Sequence, residues 1–348
     1  MGVLVMDIDA LNKVAIAIAA PGKGILAADE SSGTIKKRFD SIDVESTEDN
    51  RRDYREMLFR TDSAMRDHIS GVILFDETIR QKAKDGTPLV KLIEDAGSIP
   101  GIKVDKGAQA LAGAPGENVT EGLDGLRDRL KEYYDLGARF AKWRAVIDID
   151  GAEIPTGYSI ATNVHALARY AALCQEANIV PIVEPEVLMD GAHDIDRCYD
   201  VTEFTLKSLF DELYAQDVDI EGTVLKPNMV IAGKKSKRQA GVDEVAEKTV
   251  HCFRASVPAS LPSIVFLSGG QSDEDATAHL NAMNEGFADK MPWSLSFSYG
   301  RALQAAPLAA WAGREDNVPA AQAAFAHRAK MNGLAQLGKW SKSQETSA

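Results

Sequence analysis

Residues 179–186, Ile-Val-Pro-Ile-Val-Glu-Pro-Glu, begin the stretch that decides the fold. The run Ile179–Val183 is continuously apolar, which is typical of a strand that is covered on both faces. A stripe of helical spacing follows at Leu206, Leu209, Phe210 and Leu213. A second apolar run, Thr223–Leu225, comes next. A strand, a helix and a strand in this order predict two parallel strands that are joined by a crossover helix.

The same unit recurs along the chain. Apolar runs lie at Gly24–Ala28, Gly71–Phe75, Ile102–Val104, Phe140–Trp143, Ile179–Val183, Thr223–Leu225, Ile264–Leu267 and Trp293–Phe297. Further helical stripes run from Leu123 to Tyr133, from Val242 to Phe253 and, after the potential cap Ser272, from Ala276 to Met283. Eight strands without a Pro/Gly-rich linker predict an α/β fold, a single (β/α)8 TIM barrel with N-terminal and C-terminal helical extensions. We assign it residues 1–340, and residues 341–348 to a short polar mobile tail.

The composition argues against several classes of protein. The chain has 348 residues and a formal net charge of −13, which disfavours a nucleic-acid-binding protein with a basic face. Asp7 and Asp9 precede the apolar run Val14–Ala20, where a signal peptide would carry positive charge, and no apolar run approaches the ~20 residues that cross a bilayer. The sparse cysteines Cys174, Cys198 and Cys252 form no disulfide framework. A cytoplasmic protein with no nucleic-acid or membrane partner is the simplest interpretation.

Charged residues follow almost every predicted strand. In chain order the strand ends carry Asp29-Glu30-Ser31, Asp76-Glu77, Lys103, Lys142-Trp143-Arg144, Glu184-Pro185-Glu186, Lys226, Ser268-Gly269-Gly270 and Ser298-Tyr299-Gly300-Arg301. A single charge after a strand most often belongs to a solvated loop. In a barrel, however, these ends converge on one opening, where lysines and carboxylates perturb one another's pKa as acid–base and covalent chemistry require.

Lys226 is the most informative of these residues. It follows Val224-Leu225 directly and precedes Pro227, which ends the strand, so we expect its side chain to point into a confined site. A neighbouring cation such as Lys142 favours the neutral, nucleophilic form of a lysine amine. The alternative interpretation is a structural salt bridge between Lys226 and Glu184 or Glu186.

The last two strand ends predict an anion site. Gly269-Gly270 lets backbone N–H groups approach an anion closely, and the helix that Ser272 opens aims its positive end at the same place. Arg301 adds a potential bidentate phosphate ligand. Loops after strands 7 and 8 are the usual phosphate site of this fold.

Two other features are assigned no chemistry. The run Lys234–Arg238 has the composition of a nuclear signal or a nucleic-acid patch, but it follows the sixth strand of an acidic protein, so we interpret it as a solvated loop. The six histidines show no metal-ligand spacing. The sequence therefore predicts no metal and no bound cofactor.

Several long motifs in the same order resemble those of class I fructose-bisphosphate aldolases, from about Gly22 to about Lys339. They include Gly24-Ile-Leu-Ala-Ala-Asp-Glu-Ser31, Gly101-Ile-Lys-Val-Asp-Lys-Gly107, Phe140-Ala-Lys-Trp-Arg144, Ile182-Val-Glu-Pro-Glu186, Val224-Leu-Lys-Pro-Asn-Met229 and Phe297-Ser-Tyr-Gly-Arg-Ala-Leu-Gln304. The resemblance implies reversible cleavage of fructose 1,6-bisphosphate through a lysine Schiff base, a step of glycolysis and gluconeogenesis. It also implies a homotetramer.

The resemblance also implies residue roles. Lys226 corresponds to the Schiff-base lysine, Glu184 to the acid/base of imine formation, and Asp29 to the acceptor of the C4 hydroxyl proton. Lys142 corresponds to a cation that steadies these charges, and Glu186 to a supporting carboxylate. The remaining matches are substrate contacts: Ser268, Gly269, Gly270, Ser298, Gly300 and Arg301 around the C1 phosphate, Ser31, Lys103 and Arg144 around the C6 phosphate, and Arg38 and Arg51 near the substrate.

Three alternatives stay open at this point. The tail ends in Glu345-Thr346-Ser347-Ala348 without the terminal tyrosine of animal members, so fructose 1-phosphate or sedoheptulose 1,7-bisphosphate remains a possible main substrate. A transaldolase would use the same kind of lysine. A catalytically silent scaffold could share the fold, although the complete set of charged strand ends argues against it.

Overall fold

The computed structural model describes residues 6–346, and this part of the chain contains ten strands. They are β1 Gly24–Ala28, β2 Ile69–Leu74, β3 Ile99–Lys103, β4 Ala108–Ala110, β5 Asn118–Thr120, β6 Phe140–Ile147, β7 Val180–Val187, β8 Val224–Leu225, β9 Ser263–Phe266 and β10 Ser294–Tyr299. Eight of them close into a parallel barrel in the order β1-β2-β3-β6-β7-β8-β9-β10, and β4 and β5 form a separate antiparallel pair. The predicted TIM barrel is confirmed. Each predicted apolar run lies in or overlaps one barrel strand.

Helices surround the barrel and extend it at both ends. Within residues 6–346 they are α1 Ile8–Ile18, α2 Ser32–Asp40, α3 Glu48–Phe59, α4 Asp62–His68, α5 Asp76–Arg80, α6 Leu89–Asp95, α7 Leu126–Asp135, α8 Gly157–Glu176, α9 Ile195–Ala215, α10 Val242–Ser256, α11 Asp273–Phe287, α12 Arg301–Trp311 and α13 Val318–Gln336. Ser272 caps α11 as predicted, because its hydroxyl accepts a hydrogen bond from Asp275 N at 3.0 Å. Two stripe positions differ from the prediction: Leu123 precedes α7, and Val242, the first residue of α10, is exposed.

The core has two layers, one inside the barrel and one outside it. Inside the barrel, Ile25, Phe140, Val180 and Val224 pack at the amino ends of the strands against apolar residues of α1. Two hydroxyls fix α1 there: Ser263 Oγ donates to Ala15 O at 2.7 Å, and Ser70 Oγ donates to Ile18 O at 2.5 Å. Because α1 covers the amino ends of the strands, the opposite, carboxyl ends are the accessible mouth of the barrel.

Strand alternation decides which charged side chains face the interior of that mouth. Side chains along a strand point alternately to its two faces, so Lys142 and Arg144 of β6 share the face opposite to Trp143. Glu184 and Glu186 of β7 share a face in the same way. The parallel register places Arg144 beside Glu184, and the basic face of β6 therefore meets the acidic face of β7.

The chain continues past α13 into a short turn. Residues 342–344 form a 3-10 turn, and the Glu345 carboxylate accepts a hydrogen bond from Trp340 Nε1 at 2.8 Å and pairs with the buried Arg328. Residues 347–348 of the predicted mobile tail lie outside the described residues, and the mobility of the tail stays a prediction.

The sequence also predicts no disulfide framework and no apolar run long enough to cross a bilayer. Cys174, Cys198 and Cys252 are each buried and free. Among residues 6–346, no helix combines the length and apolar character needed to cross a bilayer.

Candidate active site

A cavity of about 610 Å³ opens at the carboxyl ends of the barrel strands. It brings together every predicted site residue except Arg51: Asp29, Ser31, Arg38, Lys103, Lys142, Arg144, Glu184, Glu186, Lys226, Ser268, Gly269, Gly270, Ser298, Gly300 and Arg301. A somewhat larger cavity, about 700 Å³, lies between the outer helices α9, α10 and α11, away from the strand ends. The clustered, buried charges make the smaller cavity the candidate active site.

Four side chains of alternating charge form the centre of the cavity, and all of them except Asp29 are buried. Asp29 Oδ2 lies 2.8 Å from Lys142 Nζ, which lies 3.3 Å from Glu184 Oε2. The other carboxylate oxygen of Glu184, Oε1, lies 3.2 Å from Lys226 Nζ. Lys142, Glu184 and Lys226 are all at least 95% buried. The salt bridge considered from the sequence is therefore present, and it places the Lys226 amine within reach of a carboxylate that can exchange protons with it.

The protonation states of the first pair follow from this arrangement. Burial alone would raise the pKa of Asp29, but the cations Lys142 and Lys226 outweigh it and keep that pKa well below its usual range. Burial alone would lower the pKa of Lys142, but Asp29 and Glu184 keep it well above its usual range. At neutral pH Asp29 is an anion and Lys142 is a cation. Lys142 is thus a fixed positive charge and not a free amine.

Two further ion pairs line the side of the cavity formed by β3, β6 and β7. Arg144 Nε donates to the Glu186 carboxylate in a short contact. Lys103 Nζ lies 2.5 Å from Asp105 Oδ1, and the other oxygen of Asp105 accepts from Arg144 N at 3.2 Å. These carboxylates position Lys103 and Arg144 at the cavity wall, where they can meet an anionic group.

The opposite side of the cavity is built from backbone and hydroxyl groups. Gly269 and Gly270 have φ values of 53° and 83°, a left-handed conformation that favours glycine and turns successive N–H groups toward one side. Ser298 Oγ is buried and has no hydrogen-bond partner among the described residues. Arg301 begins α12 next to this loop and, within residues 6–346, forms no ion pair. Unpaired donors of this kind, aimed at one place, suit a phosphate group.

A buried histidine that the sequence did not single out supports this loop. His279 of α11 shares a hydrogen bond of 2.6 Å between its Nδ1 and Gln271 Oε1, and Gln271 Nε2 donates to Ser268 O at 3.0 Å. Burial lowers the pKa of His279 from 6.5 to about 4. The ring is therefore neutral at pH 7, and its Nδ1 proton is the one that Gln271 accepts.

We expect His279 to make the stability of the protein fall in mild acid. Its folded-state pKa lies below its unfolded-state pKa, so the unfolded chain binds the proton more readily, and the contribution of His279 is present above pH 6.5 and is lost as the pH falls toward 4. A shift of this size corresponds to about 2–3 kcal/mol at pH 4.5. The free energy of unfolding is measured in urea at pH 7 and pH 4.5 for the wild type and for His279→Gln. Between these pH values it should fall by less in His279→Gln than in the wild type.

The exposed His165 is the matched control for this measurement. His165→Gln should leave the pH dependence of the wild type unchanged. An equal loss of stability in the wild type and in His279→Gln between the two pH values would contradict the assignment.

Two charged groups at the second strand end do not reach the cavity. Asp76 and Glu77 begin α5 and do not line this cavity. Asp76 pairs with Arg80, and Glu77 binds Arg51 Nη2 at 2.5 Å. The expected convergence of charge is therefore wrong for this strand. Because Glu77 engages Arg51 outside the cavity, the geometry gives no support to Arg51 as a substrate contact.

Several cavity residues were missed from the sequence, among them Lys234 and Asp190. Lys234 and Asp190 lie in the loops after β8 and β7, and Lys234 Nζ is 2.8 Å from Asp190 Oδ1. The sequence placed Lys234 in a solvated basic run. No local pattern distinguishes Lys234 from its basic neighbours, because its position depends on a contact between two separate loops.

Comparisons with known proteins found similar sequences over nearly the whole chain. The family model described as class-I fructose-bisphosphate aldolase matches residues 10–348. A Xanthomonas campestris protein named probable fructose-bisphosphate aldolase class 1 is 62% identical over 336 residues, which are 96% of this chain and 99% of that protein. The protein named cytosolic fructose-bisphosphate aldolase 6 of Arabidopsis thaliana is 55% identical over 95% of this chain and 92% of its own length.

A solved structure is similar over nearly the whole chain. The fructose-bisphosphate aldolase of Plasmodium falciparum, crystallised with TRAP and a small-molecule inhibitor, superposes with a TM-score of 0.93 at 48% sequence identity. The match covers 96% of each chain. Sequence and structure thus point to the same family.

Proposed function

The chain belongs to the class I fructose-bisphosphate aldolase family, and from that premise we propose that it cleaves fructose 1,6-bisphosphate reversibly to glycerone phosphate and glyceraldehyde 3-phosphate with Lys226 as the Schiff-base lysine. The observation that carries this proposal is the position of the Lys226 amine. It is buried in the barrel mouth 3.2 Å from Glu184, and Glu184 also pairs with Lys142. A lysine amine beside a carboxylate is what covalent bonding to a ketose requires.

Imine formation uses the pair of Lys226 and Glu184. Glu184 first takes a proton from the Lys226 ammonium, and the neutral amine then attacks C2 of the ketose. A C2–N bond forms as Glu184 passes that proton to the carbonyl oxygen. Loss of that oxygen as water then leaves a protonated imine. Glu184 accepts a proton from the amine and returns one to the departing oxygen, because its Oε1 already lies within 3.2 Å of Lys226 Nζ.

Cleavage uses the pair of Asp29 and Lys142. The protonated imine withdraws the electron pair of the C3–C4 bond, so the bond breaks to a neutral enamine instead of a bare carbanion. The proton of the C4 hydroxyl passes to Asp29, whose lowered pKa keeps it ionised in the free enzyme. Lys142, 2.8 Å from Asp29, stabilises the negative charge before the transfer. Glyceraldehyde 3-phosphate, whose aldehyde carbon is the former C4, leaves first. Protonation of the enamine at C3 and hydrolysis of the imine then release glycerone phosphate.

The two ends of the cavity suit the two phosphates of the substrate. The side formed by Ser268, Gly269, Gly270, Ser298, Gly300 and Arg301 offers N–H, hydroxyl and guanidinium donors to the C1 phosphate. The side with Ser31, Lys103 and Arg144 offers cations to the C6 phosphate. Arg38 lines the cavity and lies 2.5 Å from Glu30, so we assign it a contact beside the C1 phosphate rather than a role in proton transfer.

The test of the proposed activity is a coupled assay of the purified protein. Fructose 1,6-bisphosphate should yield both triose phosphates, with kcat/KM larger than for fructose 1-phosphate and sedoheptulose 1,7-bisphosphate. A larger kcat/KM for either of those sugars would reassign the main substrate. Absence of cleavage of all three would favour the scaffold alternative.

We expect the activity to survive removal of metal ions. Within residues 6–346, no group of three or more His, Cys, Asp or Glu side chains is arranged to hold a metal ion, and the charge-stabilising role is assigned to Lys142. Assay of the protein after dialysis against EDTA should give the rate of the untreated enzyme. Strong inhibition that added zinc reverses would contradict a metal-independent mechanism.

The homotetramer and the cytoplasmic location are also proposals. The homotetramer rests on the family resemblance, and the large apolar side chains that α9 exposes, Phe204 and Tyr214, suit an association surface. The printed name of the Arabidopsis relative, cytosolic, supports a cytoplasmic location.

A further inference from the structure

Lys234 lies against the glycine loop of the cavity, although its sequence neighbours are exposed basic residues. A Cβ added at Gly270 would stand 2.7 Å from Lys234 Nζ and 3.0 Å from Arg301 Nη2. Two cations, one from the loop after β8 and one from the start of α12, therefore lie beside the same backbone unit. Lys234 and Arg301 both line the cavity, whereas Lys235 and Lys237 do not.

The backbone holds Lys234 in this position. Lys234 N donates to Met189 O at 2.7 Å, Lys235 N to Gly191 O at 3.0 Å, and Gly233 N to His193 O at 2.9 Å. A Cβ at Gly233 would stand 2.3 Å from Gly191 O, so only glycine allows the two loops to approach this closely. The loop that carries Lys234 is thus fastened to the loop after β7 on both sides of the lysine.

Asp190 directs the side chain of Lys234 without burying it. The pair is 2.8 Å apart, and the side chains of Lys234 and Asp190 are 44% and 63% exposed. An exposed ion pair is weak, so an arriving dianion can share or take over the ammonium group at little cost. By contrast, Lys142 and Lys226 are buried and engaged by Asp29 and Glu184.

We propose that Lys234, positioned by Asp190, is a phosphate-binding residue of the active site and that it binds the C1 phosphate of the substrate together with Arg301. The proposal rests on the proposed aldolase function and deepens it. A phosphate dianion at the Gly269-Gly270 turn would receive backbone N–H donors from the turn and a hydrogen bond from each of the two neighbouring cations. The lysine adds affinity for substrates that carry a phosphate at this end.

The test compares Lys234→Gln with Lys235→Gln, a matched change one residue away. In the wild type and both variants, the glycerone phosphate concentration that gives half-maximal borohydride trapping is measured at low ionic strength, together with competitive inhibition by inorganic phosphate. Lys234→Gln removes one charge-assisted hydrogen bond to the phosphate at an exposed site. We therefore expect it to raise both the half-maximal glycerone phosphate concentration and the inhibition constant of inorganic phosphate about tenfold. Lys235→Gln should leave both unchanged, and Lys234→Arg should restore most of the affinity.

A second measurement separates phosphate binding from damage to the loop. In the condensation direction, the KM for glyceraldehyde 3-phosphate should be the same in Lys234→Gln as in the wild type, because its phosphate occupies the other end of the cavity. Equal constants for the two glutamine variants, or a KM for glyceraldehyde 3-phosphate that rises as much as the glycerone phosphate constant, would overturn the proposal. If the wild type cleaves fructose 1,6-bisphosphate and the variants give either of these outcomes, the role of Lys234 is refuted and the proposed function is unaffected.

Discussion

Replacement of Lys226 by methionine is expected to lower kcat for cleavage of fructose 1,6-bisphosphate by at least about 10⁴-fold and to abolish the covalent adduct. Methionine keeps the length of the side chain but has no amine to bond to C2. Lys142 cannot replace it: its amine lies between Asp29 at 2.8 Å and Glu184 at 3.3 Å, and these carboxylates hold its pKa well above the usual range. The measurement is borohydride reduction with glycerone phosphate, followed by mass spectrometry of the peptide that contains residue 226.

The control for this prediction is Lys142→Met, which removes a buried amine of the same environment. It should slow cleavage and still give an adduct at Lys226, because the imine requires only Lys226 and Glu184. An adduct at any other lysine of the wild type, or an adduct of undiminished yield in Lys226→Met, would show that the nucleophile is misassigned.

Most of the barrel could be predicted from the sequence because buried parallel strands are continuously apolar. The weakest case is β3, where the predicted run Ile102–Val104 begins three residues after the true start at Ile99. Pro100 and Gly101 have the composition of a turn, yet both lie in the strand, where Pro100 pairs with Val72 and Gly101 with Ile73. The hairpin of β4 and β5 was missed because each of its strands has only three residues, and five of the six residues are exposed or only partly buried.

The site was predictable to the extent that it lies directly at strand ends. Lys142, Glu184 and Lys226 sit in or next to their strands, so knowledge of the strands places them in the mouth of the barrel. Residues farther along the loops depend on tertiary contacts that no local pattern encodes. Arg51 turns to Glu77, outside the cavity, and Lys234 enters it only because Gly233 and Gly191 let two loops approach closely.

Replacement of Asp29 by asparagine is expected to separate imine formation from carbon–carbon cleavage. Asparagine cannot accept the C4 hydroxyl proton, so kcat for cleavage should fall by about 10²–10⁴-fold, the usual range for loss of a general base. Lys226 and Glu184 remain 3.2 Å apart and unaltered, so the imine should still form. Borohydride reduction of Asp29→Asn with fructose 1,6-bisphosphate should therefore give the mass of a hexose bisphosphate adduct at Lys226, where the wild type gives mainly the triose phosphate adduct.

Asp105→Asn is the matched control, because Asp105 is also a buried carboxylate near Lys142, at 3.9 Å. Both substitutions remove one negative charge from the surroundings of Lys142, but in the proposed mechanism only Asp29 accepts the proton. A loss of kcat in Asp105→Asn as large as that in Asp29→Asn would show that the charge around Lys142 matters and that Asp29 is not the base. A triose phosphate adduct as the main product of Asp29→Asn would likewise assign the proton transfer to another group, because cleavage would then have preceded reduction.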